Sequence, residues 1–580
     1  MTDKYTERIR EFSDKHSTQK KYDRYISLAR LLLLAGSAYL FYRAILLESW
    51  PDMFWGFLPL AGFLTLLFLH KSIRDNAKRF KTLVKINQEE KAFLSGDLSP
   101  FNDGSDFIDR EHPFAFDLDI FGPFSLYHHL NRCATIDGRI LLAKSLRSQE
   151  ATGKISEKQE VVKGLATDIS FRQQFMLEGR LLNEDPELRK KLIRWQNSPV
   201  ISNLLQNRLF TLLFSLIALG TLTFWIIQPT VPHFYIFCAA ALVNIALVLS
   251  QMKTIRSEQK HLDGLGDSLL IYSRLLKLIE DRQAYTKNAS ASRALYSLSR
   301  ICDEFDQLHN PVGSMIMNGL FLYHLSSLRK LNIWKRQNAS KAIIWLDEVA
   351  EWDELQCLAN WSYNNPDFSF PEISDELTYQ AVSLGHPLIH SSKRVSNSVH
   401  FDEQNFVILT GSNMSGKSTF LKTLGMNLVL AKAGAAVCAQ SLKVYPFPIL
   451  SSMKMVDSIE KEQSYFQAEV LRLKKLMHFL NQGKAAFVLL DEILRGTNSD
   501  DKRRGTRLFL EKISHTNAKG VIATHDIDIA DMAEKNPRIF RDLYFESKFE
   551  HGELHFDYKL RSGVCTTPNA TELMRAHGII

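Results

Sequence analysis

The chain has 580 residues, with 23% of them charged and a formal net charge of +7. That length exceeds what one hydrophobic core serves, so two or three domains are expected, and the mild positive charge permits a polyanionic partner without requiring one. The six cysteines (Cys133, Cys238, Cys302, Cys357, Cys438, Cys565) are scattered with no C-x-x-C, which excludes a secretory disulfide framework and a zinc spacing and predicts buried thiols in a reducing compartment.

Four apolar stretches stand out in chain order. Residues 31–47 carry only Arg43, and residues 53–69, 209–227 and 234–250 carry no charge. Each runs 17 to 19 residues, close to the ~20 that cross a bilayer as helix. Short connections pair them into two hairpins. A soluble core helix of this length would show a polar stripe, and these do not. Arg43 lies near the far end of the first stretch, where it can snorkel outward. Lys20, Lys21 and Arg24 precede the first pair, and Lys71, Arg74, Lys78, Arg79 and Lys81 follow it; Arg208 precedes the second, and Lys253, Arg256 and Lys260 follow. With no Lys or Arg in the connecting loops, the positive-inside rule predicts a multi-pass protein of the cytoplasmic (inner) membrane with both termini in the cytoplasm. Trp50, Trp55 and Trp225 fit interfacial anchors. The polar segment before residue 31 does not read as a cleaved signal peptide. Nucleic-acid contact is an alternative reading of the basic flanks, although topology alone accounts for them.

The middle of the chain is helical in pattern. Residues 116–146, 262–280, 292–328 and 341–363 show apolar residues at helical spacing with few strand signals. His128 and His129 are adjacent and cannot share one helix face, which argues against a metal pair. The acidic residues of this middle segment read as solvated helix faces and receive no chemistry.

The clearest chemistry lies at 406–423, FVILTGSNMSGKSTFLKT. A short apolar run, read as a buried strand, feeds G-x-x-x-x-G-K-[ST], and a helix-period segment follows from Lys417 to about Ala433. Gly411 and Gly416 let backbone N–H groups approach phosphate oxygens, and the helix N-terminus favours an anion. Lys417 supplies a charge to β/γ-phosphates and Ser418 a hydroxyl to Mg²⁺. Gly411, Asn413, Met414, Ser415, Gly416, Lys417, Ser418 and Thr419 thus form the expected ATP cradle. A second strand-like run, 485–490, ends in Asp491 and Glu492: one carboxylate for Mg²⁺, the other to orient or deprotonate water. A third, 521–524, ends in His525, placed to sense the γ-phosphate. Phe406 and His386 are candidate adenine neighbours, with core packing an equal alternative for both.

TGSNMSGKST, SYFQAE (464–469), LLDEILRGTN (489–498) and ATHD (523–526), in that order, resemble the ATPase of the MutS family of DNA mismatch-repair proteins, within the ABC-type ATPase superfamily. GHPLI (385–389) and YKLRSGVCTTPNATELMRAHGI (558–579) extend the resemblance, and the segments at 116–142 and 345–363 resemble the start and end of the family's helical core. The resemblance implies that Asn413 lies near the γ-phosphate, that Ser418 and Asp491 hold Mg²⁺, that Glu492 and His525 are catalytic, and that Ser464 completes the site of a partner subunit. A homodimer with two sandwiched nucleotides follows from it. The chain departs from the family in Ser412, Ser415 and Leu494, in the residues SDDK at 499–502, and in having no room for the mismatch-reading and connector domains, which argues against mismatch specificity. A membrane hairpin falls where the family inserts its DNA clamp.

The expected architecture is therefore an α/β P-loop (ABC-type) ATPase domain at 381–580 and an all-α helical core or lever at 101–380. Residues 1–100 carry the first transmembrane hairpin, and the second interrupts the helical core. Two functions remain open: a membrane-anchored MutS-type ATPase that engages double-stranded DNA, and an ATP-driven mechanochemical or scaffold membrane protein that does not.

Overall fold

The computed structural model describes residues 2–149, 155–181, 184–199, 207–282, 290–306, 310–401, 404–454, 465–495, 497–550 and 553–565. Helices lead: α1 (Thr2–Leu46), α2 (Trp50–Leu94), α3 (Leu126–Leu130), α4 (Ile136–Arg147), α5 (Ile155–Thr167), α6 (Ile169–Leu181) and α7 (Leu188–Gln196). They continue with α8 (Arg208–Ile227), α9 (Val231–Ser250), α10 (Met252–Leu262), α11 (Gly266–Glu280), α12 (Ala291–Asp306), α13 (Pro311–Phe321) and α14 (Tyr323–Asn364). Strands then alternate with helices: β1 (Glu372–Ile373), β2 (Tyr379–Leu384), β3 (Asn397–His400), β4 (Phe406–Thr410), α15 (Lys417–Ala433), β5 (Ser441–Val444) and β6 (Ile449–Ser452). Last come α16 (Tyr465–Leu480), β7 (Ala486–Asp491), α17 (Ser499–Ser514), β8 (Ala518–Ala523), α18 (Ile527–Lys535), β9 (Phe540–Glu550) and β10 (Glu553–Ser562). The protein is mostly helical with an α/β region at its C-terminal end. Two compact units divide it: Met1–Gly96, Cys133–Arg139 and Ser170–Asp353 in one; Asp97–Arg132, Ile140–Ile169 and Glu354–Ile580 in the other.

In the helical unit, α1 and α2 run 45 residues each, about 68 Å at 1.5 Å per residue. The apolar stretches are only parts of longer rods, because the polar flanks lack a helix breaker and find partners. Leu83 and Ile86 of α2 close a small core with Phe12 of α1 and Met176, Leu177 and Leu181 of α6. Arg8 Nε donates to Gln173 at 2.8 Å, and Arg79 pairs with Glu178. At the other end Arg43 pairs with Asp52 at 3.1 Å across the turn, so its charge is matched within the hairpin. Helices α1, α2, α8 and α9 are each long and apolar enough to cross a membrane, and only 6 to 11% of each apolar window is buried.

The acidic residues of the middle segment are only partly the solvated faces expected: Asp303, Asp347 and Glu351 are exposed, but others are buried. Asp353 is fully buried and accepts from Ala134 N at 2.9 Å, Thr135 N at 2.8 Å and Thr135 Oγ1 at 2.8 Å. A Cβ on Gly138 would fall 2.2 Å from its Oδ2, so that close approach needs glycine. In the α/β unit Asp117, also fully buried, accepts from Ser451 Oγ, Met453 N, Lys454 N and Arg472 at 2.7 to 3.1 Å. Periodicity reports which face of a helix is apolar, not which backbone donors meet its carboxylates. The helix expected over 116–146 is likewise interrupted. Asp119 and Phe124 adopt left-handed backbone (φ 49° and 58°), and only α3 and α4 are helical there.

The α/β unit is built on a six-stranded sheet ordered β10-β9-β4-β8-β7-β6, parallel except for β10. Every residue of β4, β7 and β8 is buried, as a sheet covered on both faces requires. Phe406 is wholly buried, with its ring 5.7 Å from that of Phe540; it is core and not an adenine neighbour. A smaller sheet, β1-β5-β2-β3, completes the unit. His128 is held by the carbonyls of Leu98 and Phe101 at 2.9 and 3.1 Å and by Phe124 N at 3.1 Å, a structural role.

Burial lowers the pKa of Lys432, on α15, to about 7 from 10.5; its Nζ donates to Gln149 O at 3.0 Å. Between those values the unfolded chain holds a proton that the folded chain does not, so stability rises with pH, by up to about 1.4 kcal/mol per unit. Below pH 7 both states are protonated and the slope vanishes. Lys432→Met should therefore exceed wild type in stability at pH 7, with the gap narrowing toward pH 10 in urea titrations.

Candidate functional site

The parallel register brings three strand ends to one level. Leu409 of β4 and Asp491 of β7 both align with Ala523 of β8. The ladder runs one rung further, with Thr524 N donating to Leu409 O at 3.0 Å and Glu492 N to Ala523 O at 2.9 Å. Gly411, Glu492 and His525 hang from these last rungs.

The loop from Gly411 to Gly416 turns on backbone that glycine tolerates. Gly411 has φ 153° and Gly416, at the start of α15, φ 104°. A Cβ on Gly411 would lie 2.6 Å from Ser415 Oγ and 3.2 Å from Phe545 O. Met414 (φ 67°) is exposed at the loop tip beside exposed Asn413, while Ser415 is buried. Ser412 Oγ pairs with Ser547 Oγ at 2.9 Å. Ser418 and Thr419 open α15 with both residues exposed.

Charge gathers on this edge. Lys417 is buried and its Nζ donates to Gly411 O at 2.8 Å and Ser412 O at 3.0 Å; it lies 3.3 Å from His525 Nδ1. Burial lowers its pKa against the pull of Glu492 and Asp491. Ser418 Oγ donates to Asp491 Oδ2 at 2.6 Å. His525 Nε2 pairs with Glu492 Oε1, and Arg495 Nε lies 3.3 Å from Glu492 Oε2. Burial raises the Glu492 carboxyl, but His525, Arg495 and Lys417 together outweigh it and hold the group below its ordinary value. The chemical content is a hydroxyl beside a carboxylate, a desolvated ammonium, and an ionised carboxylate held by an imidazole.

Lys417, Ser418, Asp491, Glu492 and His525 thus come together, with Gly411 and Gly416 shaping the loop around them. Ser464 lies outside the described residues, as do Gly496 and residues 566–579 of the closing segment. His386 lies apart from these contacts; burial lowers its ring to about 4, and Nδ1 accepts from Leu388 N at 3.3 Å.

Glu469 was missing from the expected set. It is buried on α16 and accepts from Leu494 N at 2.5 Å and Arg495 N at 3.1 Å. These bonds pin a turn in which Glu492 and Leu494 both adopt left-handed backbone, φ 50° and 61°. Its only signal in the sequence is its place as the glutamate that closes SYFQAE, the segment that Ser464 opens.

The sequence profile of MutS domain V matches residues 407–578. DNA mismatch repair protein MutS of Bacillus subtilis (strain 168) is 27% identical over 227 residues, 37% of this chain and 25% of that protein. The protein of the same name from Thermotoga petrophila is 28% identical over 241 residues, 40% of this chain and 29% of its own length. That of Staphylococcus haemolyticus is 26% identical over 219 residues, 36% and 24% respectively. The matches span 24 to 29% of the length of these relatives.

Removing the Glu469 side chain leaves two backbone donors without an acceptor. Glu469→Ala should cost about 1–3 kcal/mol in chemical denaturation. Glu469→Gln, which keeps one acceptor, should lose less; equal losses would count against the turn-pinning role.

Proposed function

We infer that this chain, a member of the MutS family through its C-terminal domain, is a membrane-anchored ATPase that works as a homodimer. The observation that carries this reading is the 2.6 Å contact of Ser418 Oγ with Asp491 Oδ2, ringed by Lys417, Glu492 and His525. A hydroxyl and a carboxylate side by side are hard oxygen donors that suit Mg²⁺, and Mg²⁺ when bound supplies neutralisation of phosphate charge. Lys417 exchanges the carbonyls of Gly411 and Ser412 for phosphate oxygens, and the loop N–H groups from Asn413 to Thr419 cradle them. Glu492, kept ionised, orients and deprotonates the attacking water. His525 acts through Glu492 as a positioning residue that reads the γ-phosphate side. Ser464 acts in trans on the partner's nucleotide, so turnover requires two copies.

Support for the anchor comes from α1, α2, α8 and α9, whose apolar windows are almost entirely exposed. The basic flanks orient both termini and the ATPase toward the cytoplasm. ATP-driven closure of the dimer would then work on membrane helices.

A second reading, coupling to double-stranded DNA, is supported by the names of the relatives, all DNA mismatch repair proteins. ATPase measured on the full chain in vesicles, with and without homoduplex or mismatched DNA, separates the two. Stimulation by DNA that fades as salt rises from 50 to 200 mM, the range over which about 10³–10⁵ of phosphate-driven affinity is lost, favours the DNA reading. Indifference to DNA at low salt leaves the membrane-coupled one.

Glu492→Gln should retain ATP binding in filter assays while turnover falls about 10²–10⁴-fold, the range of a general base. Lys417→Ala should instead weaken nucleotide binding itself. Unchanged turnover in Glu492→Gln would sink the assignment of the base.

A further inference from the structure

Helix α13 has only 11 residues, about 16 Å of helix and half a bilayer core. Its sequence, PVGSMIMNGLF, carries no charge. Val312, Met315, Ile316, Met317 and Phe321 are 38 to 69% exposed, a large apolar face for a soluble protein. The helix packs on the second hairpin. Gly319 sits where a Cβ would meet Ala241 Cβ at 3.6 Å, and Asn244 of α9, itself buried, donates to Gly319 O at 2.7 Å. Small-residue contact and an asparagine bridge are the means by which helices associate in lipid.

Between α13 and the α9–α10 junction lies a cleft of about 440 Å³. Ile245, Val248, Leu249, Met252, Pro311 and Met315 give it apolar walls, and Arg256 stands among its lining residues. Arg256 is exposed on α10, just under two turns past the end of the apolar stretch of α9. Its guanidinium makes no ion pair among the described residues. A mainly apolar cleft whose polar lining (Gln259, Ser314, Asn318) includes this guanidinium, beside the basic flank of a span, suits a phospholipid with an anionic headgroup.

We propose that α13 lies in the cytoplasmic leaflet beside α8 and α9 and that the cleft seats an anionic phospholipid, acyl chain on Leu249 and Met315, phosphate on Arg256. The proposal rests on the membrane reading above and extends it to a segment too short to span. The apolar face of α13 continues that of α8 and α9, where Leu213, Leu216 and Leu249 are 56 to 65% exposed, so one lipid phase covers both.

The test uses the full chain in phosphatidylcholine–phosphatidylglycerol vesicles. Ile316→Cys, Leu216→Cys as membrane control and Arg300→Cys as aqueous control are probed with a water-soluble maleimide, with labelling read peptide by peptide. Positions 316 and 216 should resist labelling until detergent is added, while 300 labels at once. Labelling at 316 but not 216 overturns this inference alone; labelling at both removes the membrane reading as well. A benzophenone side chain at Met315 should yield lipid adducts, and adducts with a second copy of the chain instead would overturn the proposal. Arg256→Gln should lower retention of phosphatidylglycerol over phosphatidylcholine about fivefold; an unchanged preference removes the headgroup contact and with it the anionic-lipid site.

Discussion

The candidate site depends on the parallel alignment of β4, β8 and β7. Parallel strands deliver their C-terminal ends to the same edge, where ligands bind in open α/β sheets. Leu409, Ala523 and Asp491 stand in one row, and the residues that follow each of them emerge together. A one-residue slip of β7 would turn Asp491 to the opposite face and withdraw it from Ser418. Continuous apolar runs weakly specify register by themselves, since both faces are buried. Fixed points outside the strands help set it, among them the two rungs continued by Thr524 and Glu492. Within β8 itself, Gly520 is a further fixed point: a Cβ there would lie 1.9 Å from Val488 O, so β8 approaches β7 at that rung as only glycine allows.

Buried carboxylates serve as joints through both units. Asp353, Asp117 and Glu469 each gather backbone N–H groups from segments distant in sequence. A carboxylate accepts several donors at once, which suits irregular backbone that cannot satisfy itself. The cost of burying the charge is offset only when those donors are all in place. Each joint therefore specifies the local path of the chain more sharply than an apolar contact of equal area. Glu469 applies this to the site, because the left-handed backbone at Glu492 and Leu494 carries strain that the turn alone would release.

What the sequence made legible was local and periodic. The expected helix from Lys417 to about Ala433 is α15, and the three apolar runs at 406–409, 485–490 and 521–524 are β4, β7 and β8 within a few residues. Gly411 and Gly416 were readable because their chemistry requires their backbone. The apolar hairpins were visible by composition, yet the full length of α1 and α2 was not, since their polar continuations are stabilised by α6 and not by their own pattern. Glu469, Asp117 and Asp353 were opaque for a related reason. A buried carboxylate looks like a solvated one until its donors arrive from 25 or more residues away in the chain. Phe406 illustrates the reverse, a residue whose nearness to the loop in sequence suggested contact with a base, while strand pairing turns it into the core.

The division between the units falls inside helices and not in linkers. Residues 139 and 140 lie within α4, 169 and 170 within α6, and 353 and 354 within α14. Helix α14 is 42 residues long with no proline or glycine, about 63 Å without the residues that most often kink helices. At its start α14 joins α13 through Leu322, a non-glycine residue in left-handed conformation (φ 49°), and beyond its end the chain enters β1 of the smaller sheet.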